Sequence, residues 1–274
     1  MSIQILSPGP LTTVQDLGRH GYMKDGFSPS GAMDTRAAVI ANLLVGNDKN
    51  DALLEMTLMG IGARVLDRTV VAFAGGDFSP KINGAAVPMM QAIAVFPGDE
   101  IAMGFAVSGC RAYMAVRGGI DVPLVMGSRS TNLKAHVGGF EGRKLMAGDI
   151  LPVFPASPLS EEETARRRLP YAPYFENGML SVRAVPGPED DRFPEQTLST
   201  FFSEEYAVTP ASDRMAIIWS LMPIQNAIVL EYGPAGTTHF GGGLYSSLGI
   251  RLSQSLFTTH ISEDDVIMGD VTRL

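Results

Sequence analysis

A single cysteine, Cys110, stands in a chain of 274 residues, so no intramolecular disulfide framework holds this protein together. Its neighbours Val107, Ala112, Tyr113 and Met114 read as a strand, and no histidine lies near it in sequence. The thiol is therefore expected to be buried and inert rather than nucleophilic. The four histidines, His20, His136, His239 and His260, show no ligand spacing with the cysteine or with one another, and no metal site is predicted. Basic blocks are missing too, apart from Arg166-Arg167-Arg168. With a formal charge of −8, that argues against nucleic acid or an anionic membrane surface as partner. No apolar stretch approaches the roughly 20 residues that span a bilayer. Met1-Ser2-Ile3-Gln4 lacks the basic and apolar regions of a signal peptide, so a soluble, cytoplasmic protein is expected. Neither a phosphate-binding Gly-x-x-x-x-Gly-Lys-Ser/Thr loop nor a dinucleotide fingerprint is present.

What is abundant is punctuation. Thirty glycines and eighteen prolines are spread along the chain, and 45% of residues are apolar, enough for a large core divided among many short strands. Strand signals cover Ile3 to Leu6, Gly62 to Leu66, Val70 to Ala74, Ala92 to Phe96, Glu100 to Phe105, Arg111 to Val116 and Met179 to Val185. Turns such as Asn83-Gly84 and Pro97-Gly98-Asp99 separate them. One helix is predicted over Ala37 to Val45, with Ser30 as its cap and Gly46-Asn47 as its stop. The fold class that follows is mainly β, two linked β-barrel-type domains with few helices.

Duplication supports two domains. Ile5-Leu6-Ser7-Pro8-Gly9-Pro10 is echoed by Arg183-Ala184-Val185-Pro186-Gly187-Pro188. The segments Ser28 to Asp34 and Thr209 to Met215, and Leu54-Glu55 and Leu230-Glu231, repeat at nearly the same offset. The seam runs from Pro155 to Asn177, where proline and the Glu161–Arg168 charge block prevent a continuous element. The expected domains are thus 1–176 and 177–274, with the charge block as linker.

The densest chemistry lies between Arg117 and Thr131, where two arginines, an aspartate, three hydroxyls and three glycines share fifteen residues. That pattern suits a working site. It equally suits arginines that pair with acidic neighbours to pin a turn.

Pro8-Gly9-Pro10-Leu11-Thr12-Thr13-Val14-Gln15-Asp16-Leu17-Gly18-Arg19 followed by Ser30-Gly31-Ala32-Met33-Asp34 is a specific pairing of motifs. The chain resembles the PxpC family of 5-oxoprolinase subunits, also called KipA, the KipI antagonist. It is similar to allophanate hydrolase subunit 2 and to the carboxyltransferase region of urea carboxylase. Leu54-Glu55-Met56-Thr57, Gly75-Gly76-Asp77-Phe78, the 117–131 run and Gly138-Gly139-Phe140-Glu141-Gly142-Arg143 extend the match. Beyond Met215 the match fades.

The resemblance implies that the later domain is cyclophilin-like. It also implies binding to a KipI-like subunit (PxpB) and, with a PxpA-like subunit, ATP-coupled conversion of 5-oxo-L-proline to L-glutamate. ATP, with Mg²⁺, is expected in a cleft shared with a partner. No lysine lies in a Met-Lys-Met setting, so biotin, if used, arrives on another protein.

On that reading Arg117, Arg129 and Arg143 bind phosphate or carboxylate oxygens, with Ser128 and Thr131 as neutral donors. Asp34, Glu55 and Asp77 are the acid or base candidates. Arg117 and Arg129 are expected to converge on one oxyanion pocket that opens toward a second protein. Two other readings remain open: a non-catalytic antagonist of a KipI-like kinase inhibitor, and a carboxyltransferase or allophanate-hydrolase-type subunit acting on urea-like amides.

Overall fold

A computed structural model describes residues 1–171, and beyond them only short helical pieces and strands between 195 and 239. The chain divides into two compact units, the first of which takes in residues 1–22 and 27–171 of the described chain. The predicted seam at 177, the strand over 179–185 and the second copies at 183–188, 209–215 and 230 lie outside the described residues, as does the cyclophilin-like assignment.

Within the first unit the chain is mainly β, as composition and turn spacing predicted. The strands are β1 (Ser2–Ser7), β2 (Leu11–Gln15), β3 (Leu53–Thr57), β4 (Gly62–Val65), β5 (Thr69–Asp77) and β6 (Lys81–Ile82). They continue as β7 (Ala85–Ala86), β8 (Ala92–Val95), β9 (Glu100–Ala102), β10 (Ser108–Val116) and β11 (Ile150–Pro152). Two antiparallel sheets result, one ordered β11-β1-β4-β9-β6-β7 and the other β2-β3-β10-β5-β8.

Alternation explains how they pack. In β1, Ile3 and Ile5 are buried while their neighbours are less so, and Ala63, Val65, Ile101 and Leu151 do the same in the first sheet. They meet Val14, Leu54, Met56, Phe73, Met114 and Val116 of the second sheet in one continuous apolar core. The opposite face of the second sheet is covered in part by α1 (Thr35–Leu44), which lays Ala37, Ala38, Ala41 and Leu44 on Ala72, Ala74, Tyr113 and Ala115. Small residues on both sides allow the helix to approach closely.

Helix α1 begins two residues earlier than its apolar pattern suggests, because Asp34 rather than Ser30 is its cap: the carboxylate accepts from Ala37 N at 3.0 Å. Ser30 instead has a left-handed backbone, φ 57°. The stop at Gly46-Asn47 falls where expected. Gly46 N donates to Leu43 O and Asn47 N to Asn42 O, and Gly46 supplies the φ of +76° that this ending requires.

The charge block differs from its expected linker role. It forms a short helix, α2 (Glu161–Arg166), because Ser160 and Glu163 build a reciprocal capping box.

Candidate functional site

The register of the second sheet places Thr13, Glu55 and Tyr113 side by side across β2, β3 and β10. All three side chains therefore leave the sheet on the α1 side, at the end formed by β2 and β3. Glu55 is only 1% exposed, yet its Oε2 accepts from Met33 N and from the Tyr113 hydroxyl, both at 2.8 Å. The same hydroxyl accepts from Asp34 N at 2.7 Å. Arg111 Nε lies 3.6 Å from Glu55 Oε1. A buried carboxylate held by two donors and facing a guanidinium is a group fixed in orientation. It is suited to accept or return a proton without first reorganising.

A second polar centre adjoins β2. Asp16 Oδ1 accepts from Gly18 N at 2.8 Å and from the Ser128 hydroxyl at 2.7 Å, and also from the Ser130 hydroxyl. Its Oδ2 accepts from Arg129 N. Ser130 Oγ is acceptor for Asp16 N, and Ser128 Oγ for Ser130 N, so the hydroxyls and main chain lock the 128–131 segment onto β2. Thr131 completes the join by donating from Oγ1 to Val14 O at 2.9 Å.

Arg19 is enclosed by the same segment. Nε donates to Val125 O and Nη2 to Ser130 O, each at 3.0 Å, and the side chain is 0% exposed. Burial pulls the guanidinium below its ordinary pKa, and the neighbouring Asp16 charge opposes that pull. Gly138 makes the enclosure possible, since a Cβ there would stand 2.6 Å from Arg19 Nη2 and 2.2 Å from Ser130 O.

Of the eight residues singled out by sequence, Asp34 and Glu55 come together through Tyr113. Ser128 and Thr131 gather with Asp16. The arginines do not converge on one pocket through any of their bonds. Arg117 donates to Ser157 O at 2.6 Å and to Val45 O at 2.8 Å, and Arg167 donates to Leu43 O at 3.0 Å, so both cations close the C-terminus of α1. Burial, and then repulsion from Arg167, draw Arg117 below its ordinary pKa. Arg129 donates from Nε to Val122 O at 3.1 Å and lies over the Phe154 ring at 4.9 Å.

Arg143 is gripped by Asp149 and Glu141 at 2.8 Å each and is held charged beyond its ordinary range, chiefly by the Asp149 hydrogen bonds. Asp77 closes a turn by accepting from Ser79 N at 2.7 Å. These guanidinium groups serve carbonyls and carboxylates of the fold itself. The donor set expected to hold the phosphates of ATP is thus already engaged within the described residues. Among the described residues no group of three or more His, Cys, Asp or Glu is placed to hold a metal ion. No helix there is long and apolar enough to cross a membrane.

Sequence reasoning passed over Tyr113, Arg111, Asp16, Arg19 and Ser130 as site residues. A usable signal existed in Gln15-Asp16-Leu17-Gly18-Arg19, where Gly18 adopts φ +104° directly after a strand to turn two charged side chains back onto the sheet.

The family model of the carboxyltransferase domain, subdomains A and B, matches residues 25–243. The chain is 37% identical over 213 residues to the PxpC-type 5-oxoprolinase subunit of Escherichia coli, covering 78% of this chain and 66% of that protein. It is 35% identical over 233 residues to urea amidolyase of Lachancea kluyveri, covering 79% of this chain and 12% of the relative. The crystal structure of Kluyveromyces lactis urea carboxylase superposes with a TM-score of 0.66 at 34% identity, over 80% of this chain and 20% of that one. The chain thus spans a small part of the urea-active relatives and about two thirds of the oxoprolinase subunit.

Proposed function

This chain belongs to the carboxyltransferase family, subdomains A and B, and from that premise we propose that it is a non-autonomous subunit of an ATP-dependent 5-oxoprolinase. In this reading it opens 5-oxo-L-proline to L-glutamate together with a KipI-like subunit (PxpB) and a PxpA-like subunit. The observation that carries the proposal is the buried Glu55–Tyr113–Asp34 cluster, combined with 37% identity to a PxpC-type 5-oxoprolinase subunit.

Opening a lactam requires water to lose a proton and the ring nitrogen to gain one. Glu55 is the group assigned to that transfer, and Tyr113 holds its Oε2 while Arg111 offsets its charge. ATP and Mg²⁺ belong to the complex in this scheme. Activation of the amide is the chemistry that ATP supplies when bound.

The test is co-expression with both partner subunits, followed by assay of glutamate formation that depends on ATP and 5-oxoproline. The chain alone is expected to be inactive and the complex active. A well-folded complex without turnover overturns the enzymatic reading and leaves that of a KipI-binding antagonist. The identity to urea amidolyase favours a second reading, carboxyl transfer from a biotin-bearing partner to a urea-like amide. Activity that avidin abolishes would select it.

A further inference from the structure

Arg19 is the largest wholly buried side chain among the described residues, and its Nη1 has no hydrogen-bond partner. Its other donors reach only main-chain carbonyls, Val125 O and Ser130 O. A guanidinium shut away from water with one amino group unmatched is costly, because a buried cation needs both a counter-charge and acceptors. Asp16 is near enough to act on its charge, but both carboxylate oxygens accept from other groups: Gly18 N and the Ser128 and Ser130 hydroxyls on one, Arg129 N on the other.

We propose that the free Nη1 edge of Arg19 is a receptor for one small, singly charged trigonal oxyanion, either bicarbonate or the carboxylate of a small molecule. The shape follows from which donors remain. A tetrahedral anion needs donors for a third and fourth oxygen, and the serine hydroxyls and amides nearby all point at Asp16. Only the planar guanidinium edge is left, and that edge matches a carboxylate-like group. The single charge follows from Asp16, which stays close and repels a dianion.

Two tight loops form the walls. Val125 and Ser128 exchange main-chain hydrogen bonds around Met126 and Gly127, whose φ values are 50° and 75°. Asn132 and Val137 do the same around Lys134, Ala135 and His136, which are exposed. Entry requires one of these loop tips to lift, and both tips face solvent. The inference stands apart from the oxoprolinase reading, because no bond of Arg19 reaches Glu55, Tyr113 or Asp34.

The experiment is a thermal-melting titration of the full chain with bicarbonate, formate, phosphate and chloride at fixed pH and ionic strength. A saturable rise of several degrees is expected with bicarbonate or formate and not with chloride or phosphate. Bicarbonate acting without formate assigns the inorganic source, and formate acting as well assigns a carboxylate group. Arg19→Lys, which keeps the charge but loses the planar edge, should abolish the rise. A null response to both trigonal anions, a response led by phosphate, or an unchanged response in Arg19→Lys overturns the proposal. If Arg19→Lys does not fold, the wild-type chain is treated with an arginine-directed dicarbonyl and its peptides are weighed. The effective anion should then protect Arg19 but not the exposed Arg166, and equal modification of Arg19 with and without it overturns the proposal.

Discussion

The two faces of the second sheet are made by the same five strands, yet they have opposite jobs. Toward the first sheet, Val14, Leu54, Met56, Phe73 and Met114 are apolar and wholly buried. Toward α1, residues one step along the same strands are Thr13, Gln15, Glu55, Arg111 and Tyr113, also buried but polar. Burial alone therefore does not tell fold from function here. What tells them apart is whether a buried residue is served by apolar contact or by a specified donor.

That contrast can be broken at either face. Truncating Phe73 to Ala on the apolar face should cost about 3–5 kcal/mol of stability, read by chemical denaturation. Asp16→Ala strips one acceptor from four donors that lock the 128–131 segment, and about 3 kcal/mol of lost stability is expected by the same measurement. Glu55→Gln preserves volume and should change stability by only about 1 kcal/mol. Turnover of the assembled complex should nevertheless fall about a hundredfold or more. Equal losses of stability and turnover in Glu55→Gln would erase the distinction between the faces.

Arg117→Ala removes a cation from the last carbonyls of α1 and should lower stability by roughly 1 kcal/mol, with turnover per folded molecule unchanged. The smallest effect concerns Asp149, whose pKa is lowered, first by its hydrogen bonds with Arg143. A depressed carboxyl contributes stability above its unfolded value of about 4 and loses it as pH falls through its lower folded value. Asp149→Asn should therefore be less stable than wild type near neutrality by under ~1 kcal/mol, and the gap should close in acid, read as melting temperature against pH.

The sequence showed the apolar face more clearly than the polar one. Strands β1, β4, β5, β8 and β10 were all visible, because Ile, Val and Ala alternate or run together in them. Strands β2 and β3 were not named, since Thr-Thr-Val-Gln and Leu-Leu-Glu-Met place polar side chains where a buried strand ordinarily shows apolar ones. The site lies in these two strands for the same reason that they were hard to see. Asp34 and Glu55 were selected as acids, but Tyr113, which joins them, looked like ordinary strand filling. The arginines misled for a different reason. Val45 O, Ser157 O and Val122 O are main-chain acceptors and leave no mark in the sequence, so Arg117 and Arg129 looked unpaired until the fold brought those carbonyls to them.

Glu55 lies between Leu54 and Met56, both wholly buried on the other face. A slip of β3 by one position against β2 or β10 would therefore carry a carboxylate into the hydrocarbon interior and push two large apolar side chains toward Arg111. That misalignment is penalised by several kcal/mol of lost solvation. The acid assigned to the reaction thus also acts as a key that admits a single pairing of the strands, and alignment errors are rejected before the domain closes.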